Sequence, residues 1–236
     1  MKERTLLILK ALVQDFIETA NPVASQRLLE TNDFKVSSAT VRNEFALLEE
    51  VGLITSPYVS SGKIPTGKGY RTYVDQLESD EEEEKMVTNL FEKRLSEYKL
   101  SKSKESLFDA LRVISQLSGN VAFASIEQDR TMYLGLSNVL RSPEFVAEPE
   151  KAARIVEVLE GRDRFNTFIQ GIDFPDKTVK IFIGEENIFD EISSCAMLIT
   201  KIDSQNLTGT LGILGPMRMK YSYNKALLKS AGEMVI

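Results

Sequence analysis

A chain of 236 residues with 42% hydrophobic and 27% charged residues has the balance of a folded protein, long enough for one large domain or two modest ones. It has no histidine and a single cysteine, Cys195, which excludes imidazole triads, imidazole-ligated zinc and an internal disulfide framework, and fits a reducing cytoplasm. The net charge of −6 is uneven: residues 1–77 hold nine Lys/Arg and nine Asp/Glu, so the acidic excess lies after Leu77 and does not bar a nucleic-acid partner for the first part.

Leu6, Leu9, Val13, Phe16 or Ile17, and Ala20 recur at helical spacing and predict a first helix, stopped by Asn21-Pro22. The same apolar start imitates a leader peptide, but Lys10 and Asp15 interrupt it and no small-residue cleavage site follows. A short second helix follows, with Ser25 as its candidate cap and Leu28 and Leu29 facing in. Asn32-Asp33 breaks the chain, Ser37 caps a third helix, and Gly52 ends it. At 100° per residue, Val41, Phe45 and Leu48 fall within about 60° of one another and form the buried stripe. Ala39, Arg42, Asn43 and Ala46 lie opposite. Two alanines beside an arginine and an asparagine make a face that can approach a major groove closely, where Arg pairs with guanine and Asn with adenine.

Residues 53–59 and 63–65 are short extended pieces around Ser60-Ser61-Gly62, and Thr66 opens a further helix with Tyr70, Arg71 and Tyr73. Three helices and then a hairpin with a basic tip is the order of a winged helix-turn-helix, in which the third helix enters the groove. The candidate DNA-contacting set is Ser37, Ser38, Ala39, Thr40, Arg42 and Asn43 on the third helix, with Lys63, Lys68, Tyr70 and Arg71 beyond it. Gly62 to Gly69 also imitates a phosphate-binding loop. Gly69 stands where that loop needs a magnesium-binding hydroxyl, and no buried strand precedes it, so the nucleotide reading is set aside.

The acidic run 78–84 reads as a linker or helix start. Val87, Leu90, Leu95 and Tyr98, then Leu107, Leu111, Ile114 and Leu117, predict two connecting helices around the polar patch 101–104. Beyond them, 121–126, 131–136, 178–183, 195–202 and 210–214 are β-compatible, 151–159 is helical up to Gly161, and Met217 onward ends the chain as a helix. This predicts a small, mainly antiparallel α+β body. Its Cys195 lies in an apolar strand without a histidine to activate it, so it is a small hydrophobe rather than a nucleophile. Glu185-Glu186 and Asp190-Glu191 are adjacent residues that do not converge on a metal. Arg218 is a candidate to dock an internal carboxylate. Neither an enzyme nor a metal or other cofactor is expected.

VSSATVRNEFALLEEVGLI and SSGKIPTGKGYRTYVDQL closely resemble the N-terminal blocks of the bacterial heat-inducible transcription repressors, the HrcA family. GLSNVLRSPEF (135–145), VKIFIGEEN (179–187) and GTLGILGPMRMKYSYNKAL (209–227) resemble its C-terminal blocks. The resemblance implies a winged-helix head on an inverted-repeat operator upstream of chaperone operons, a GAF-like body, a homodimer, and the GroEL chaperonin as the partner that promotes the DNA-binding form. Lys63 stands where the family's wing has arginine, keeping the charge but losing the bidentate fork. The chain is also shorter than typical members, which carry further strands and an inserted dimerisation module between 121–130 and 131–138. The expected architecture is a winged-helix domain at 1–77, an acidic linker with connecting helices at 78–118, and a GAF-like regulatory and dimerisation domain at 119–236. A regulator whose GAF-like domain senses a small molecule is the alternative.

Overall fold

The computed structural model describes residues 2–58, 61–98, 105–126, 130–173, 178–204 and 207–234. The chain divides into two compact units, 1–78 and 79–236.

In the first unit, α1 (Glu3–Thr19) buries Ile8, Leu9, Leu12, Val13 and Ile17. It ends at Ala20, whose left-handed backbone (φ 56°) turns the chain into Asn21-Pro22. After α2 (Ser25–Thr31), α3 (Ser38–Glu50) begins at Ser37, whose hydroxyl accepts from the Thr40 amide at 3.2 Å. At its other end Gly52 adopts φ 74°, and the amides of Gly52 and Leu53 reach back to the carbonyls of Glu49 and Leu48. That is the closure glycine makes possible just past a helix end. Val41, Phe45 and Leu48 are buried as their spacing requires. β1 (Ile54–Thr55) and β2 (Ile64–Pro65) pair antiparallel, and a bridge from Val23 to Lys63 joins the α1–α2 connection to them. Thr66 caps α4 (Gly67–Val74) by accepting from the Gly69 amide at 3.1 Å.

Two carboxylates fix this unit from within. Glu44, on the buried side of α3, accepts from Thr5 Oγ1 at 2.7 Å and from Arg4 Nε at 2.8 Å, both from α1. Asp15 of α1, also buried, holds Arg27 of α2 with both its oxygens, at 2.8 and 2.7 Å from Nε.

The second unit begins with α5 (Glu81–Tyr98) and α6 (Glu105–Ser118). Strands β3 (Val121–Ile126), β4 (Arg130–Leu134), β5 (Val179–Ile183), β6 (Cys195–Ser204) and β7 (Leu207–Pro216) form one antiparallel sheet in the order β4-β3-β7-β6-β5. Helices α7 (Leu136–Arg141), α8 (Pro143–Ala147), α9 (Pro149–Glu160) and α10 (Arg162–Gln170) follow β4 and cover one face. Two single 3-10 turns, Gly184–Glu186 and Asp190–Ile192, link β5 to β6. The final helix, α11 (Tyr221–Met234), packs on β6 and β7, with α5 and α6 beside it. The architecture is α+β with an antiparallel sheet between two helical layers.

Two expectations are corrected here. The helices expected to connect two domains over 78–118 are integral to the second unit. Val87, Phe91 and Leu95 are buried, Thr88 shares a hydrogen bond with Ser230 at 2.7 Å, and Lys229 reaches Glu84 at 2.7 Å. Their apolar stripes need a partner, and α11 supplies it. The polar patch 101–104 lies outside the described residues. Ser25 is not the cap of α2 either. Ala24 holds that position, with no side-chain bond, and Ser25 is the first helical residue.

Thr5 and Arg4 hold the Glu44 carboxyl below its ordinary range, the Thr5 hydrogen bond contributing most. Because the folded value is lowered, this stabilisation is present above the ordinary carboxylate range and is lost as pH falls through the folded value. Thr5→Val, which leaves a buried carboxylate oxygen short of a donor, should loosen α3 by about 1–3 kcal/mol at pH 7. The penalty should shrink in acid. Amide hydrogen exchange of α3 in the intact protein at both pH values measures it.

Candidate nucleic-acid interface

The outward side of α3 carries Ala39, Arg42, Asn43 and Ala46, all exposed. Their spacing of three, four and seven residues puts them on one face. Ser25 at the start of α2 lies against this helix: its hydroxyl is 3.4 Å from Ser38 Oγ and accepts from Arg42 Nε at 3.4 Å. The two terminal nitrogens of Arg42 bond to no described residue, and neither does the Asn43 amide group. Arg42 is thus steadied at its base with its fork free. At the leading end, Ser37 and Thr40 share a hydroxyl contact at 3.0 Å. Further along the same side, Leu47 and Val51 are each 49% exposed, an apolar extension of that face that no sequence motif marks.

The expected basic contacts divide. Lys68 is exposed, and its ammonium donates to the Val51 carbonyl at 2.9 Å. Arg71 is half-buried and reaches Asp75 at 3.3 Å. Lys63, expected as a free wing-tip cation, is instead drawn inward. Its ammonium lies 2.6 Å from Glu49 Oε2 and 2.7 Å from Ser56 Oγ, and its hydrogen bond holds the Glu49 carboxyl below the usual range. Tyr70 is a correction: it is only 2% exposed and belongs to the core of the unit with Tyr73, so it presents no surface to DNA. Tyr70 and Tyr73 sit three apart on α4, and one helical face takes both inward.

The glycines of the phosphate-loop look-alike serve chain crossing. A Cβ on Gly62 would come within 2.6 Å of the Pro22 and Val23 backbone, and one on Gly69 within 2.0 Å of the Leu53 carbonyl oxygen. In the second unit, Cys195 is buried and its thiol is pushed up to about 12 by desolvation, far from any nucleophilic use. Among the described residues no group of three or more His, Cys, Asp and Glu is placed to hold a metal ion. Glu186 accepts from the Ile183 amide at 2.9 Å and Glu191 pairs with Arg164 at 3.1 Å. Arg218 does dock a carboxylate, that of Glu144, at 2.5 Å.

Tyr70→Ala should cost about 3–5 kcal/mol, the range for emptying a large buried aromatic site, whereas a surface contact residue would cost little. Urea denaturation of the two variants Tyr70→Ala and Lys68→Ala, followed by far-UV circular dichroism, separates them.

Comparison with known proteins places the chain in a family. The model of the HrcA protein C-terminal domain matches residues 70–223. A heat-inducible transcription repressor HrcA from Acetivibrio thermocellus is 24% identical over 343 aligned positions, spanning 100% of this chain and 97% of the relative. One from Ruminiclostridium cellulolyticum is 26% identical over 323, spanning 94% and 92%. With 236 residues facing 343 positions, a sizeable part of the Acetivibrio relative has no counterpart here. A crystal structure described as that of a hypothetical protein superposes with TM-score 0.80 at 18% identity, over 100% of this chain and 97% of the other, and shares the fold. No described helix is long and apolar enough to cross a membrane. The chain belongs to the HrcA family.

Proposed function

We propose that residues 1–78 are a winged helix-turn-helix whose α3 enters the major groove, and that the chain is a cytoplasmic repressor of heat-shock chaperone operons. It binds an inverted-repeat operator as a homodimer, with residues 79–236 as a GAF-like regulatory body. The observation that carries this reading is the outer face of α3. Ala39 and Ala46 leave no bulk beside Arg42 and Asn43, and the unbonded nitrogens of Arg42 suit a guanine edge as the Asn43 amide suits adenine. Ser37, Ser38 and Thr40 lie at the helix N-terminus, where backbone amides favour phosphate oxygens. Lys68 and Arg71 are the flanking phosphate contacts, and Lys63 joins them only by giving up Glu49. The relatives' shared name supplies the heat-shock context.

One head reads few base pairs, so selectivity at genome scale calls for two on a palindrome. The family's GroEL chaperonin is the partner that returns the repressor to its DNA-binding form, and unfolded proteins draw it away during heat shock. Where the family carries an inserted module, only three residues of sequence separate β3 from β4 here, and the two strands pair antiparallel with Ile126 opposite Arg130. The dimer contact then falls to the helices within 86–118 or to the GAF-like body.

Arg42→Ala and Asn43→Ala should each relax sequence preference, by about 1–3 kcal/mol in discrimination, as measured by titration against operator and scrambled duplexes. Lys68→Ala should weaken both duplexes alike and lower the salt slope by about one. Equal losses on both duplexes for Arg42→Ala would remove it from base reading. A second measurement addresses heat. Operator affinity at fixed protein concentration should fall across the heat-shock range and recover when chaperonin is added. A gel shift that stays flat with temperature, or shows no recovery, would detach this chain from the family's feedback loop.

A further inference from the structure

The sheet face under α9 and α10 is apolar through Val121, Phe123, Met197, Ile199 and Leu214, until one register step near its end. There Thr131 stands opposite Ser125, Ser125 opposite Thr210, and Thr210 opposite Lys201. Directly opposed residues share a face. The four therefore make a continuous polar row across β4, β3, β7 and β6. Asn166 on α10 covers the first half, its Oδ1 accepting from Ser125 Oγ at 3.1 Å and from Thr131 Oγ1.

The second half of the row opens on a cavity of about 450 Å³, within the range of small-molecule sites. Thr210 is buried, yet its hydroxyl bonds to no described residue. Lys201 lines the cavity from the sheet and Asp173 lines it from beyond the end of α10. Their charges are opposite, and neither forms an ion pair with the other or with any described residue. Ile126, Ile169 and Ile172 supply an apolar wall. A simple anion would leave Asp173 unanswered and repelled, and a simple cation would do the same to Lys201. A ligand carrying both charges close together, with a short side chain, answers every group.

We propose that this cavity binds a small free α-amino acid. Its carboxylate pairs with Lys201 and its ammonium with Asp173, while its side chain rests on the isoleucine wall beside the Thr210 hydroxyl. The proposal concerns the second unit alone and does not depend on the DNA-binding reading.

The test uses the intact protein without DNA. Thermal melts and calorimetric titrations are run with L-alanine, L-valine, L-isoleucine, L-serine and L-threonine, each also as its N-acetyl derivative and its carboxamide. At least one free amino acid should raise the melting temperature saturably. Both blocked forms of that amino acid should bind about tenfold more weakly or worse, as loss of a charge-assisted contact predicts. Lys201→Ala and Asp173→Asn should each weaken binding to a similar degree. Both side chains are exposed, so the ligand-free melting temperature should stay put. Three outcomes would overturn the proposal: no saturable binding by any of the five, an N-acetyl form that binds as tightly as the free amino acid, or binding indifferent to both substitutions.

Discussion

What α3 shows to the outside is set by how its inner face is held, and the decisive hold is a carboxylate in the core. Glu44 shares the buried side of α3 with Val41, Phe45 and Leu48, and is only 2% exposed. Apolar packing alone tolerates small rotations of a helix about its axis, because leucines and phenylalanines repack at little cost. A buried carboxylate does not. It must meet Thr5 and Arg4 at hydrogen-bond distance or remain desolvated and unanswered, which is far more expensive than the pair is stabilising. The clamp therefore contributes angular definition more than net stability. Asp15 does the same for α2 through Arg27. Both clamps originate on α1, so the angle between α2 and α3 is set by a helix that presents no residue of the candidate interface. Ser25 and Arg42 touch across that same angle, which ties the pose of Arg42, the proposed base-reading arginine, to the two carboxylates behind it.

Local signals made most of this unit legible. Ser37 and Thr66 cap as their types predict, Gly52 closes α3 through a positive φ, and the buried stripe of α3 follows its spacing. Three things escaped for nameable reasons. Position 44 lies on the stripe by spacing, three after Val41 and four before Leu48, but its charge hid it, since glutamate is rarely buried unless paired. Its partners stand 39 and 40 residues away, beyond any local pattern. The charge of Lys63 by itself points to solvent or phosphate, while its partner Glu49 comes from the last turn of α3, fourteen residues away. Tyr70 follows a cap and precedes an arginine, and only its spacing to Tyr73 gave its burial away. In the second unit, α7, α8 and α10 are short, so each offers few apolar positions to set a period. The prolines at the first positions of α8 and α9 were the available signal for the helix starts.

The sheet shows how register assigns chemistry. Phe123 faces Gly212 across β3 and β7, and a Cβ at position 212 would sit 2.1 Å from the ring. The ring therefore lies over the glycine, and that pair anchors a cluster in which Phe123 meets Phe165 edge-on at 5.2 Å. One step of two residues along β3 brings Ser125 to the same face, and the partners at that step are Thr131 and Thr210. A slip of one residue would carry the polar row to the opposite face and drive Ala124 and Leu211 into its place. The apolar core and the polar row are thus fixed by the same pairing.

Electrostatics bears on how the proposed head must work. Over residues 1–77 positive and negative charges are equal in number, and among the cations near the candidate interface Lys63 and Arg71 are already matched by Glu49 and Asp75. Non-specific affinity for DNA grows with the number of phosphates that free cations neutralise. A head of this kind therefore begins with a shallow salt dependence and weak general affinity. When Lys63 turns to a phosphate it must abandon an ion pair of 2.6 Å, so that contact is an exchange and adds less than a free lysine would. Specific binding then has to draw on base edges through Arg42 and Asn43, and on doubling the number of heads. A charge-poor head depends on its symmetry mate more than a basic one does, because it has little sequence-independent attraction to hold a single copy in place.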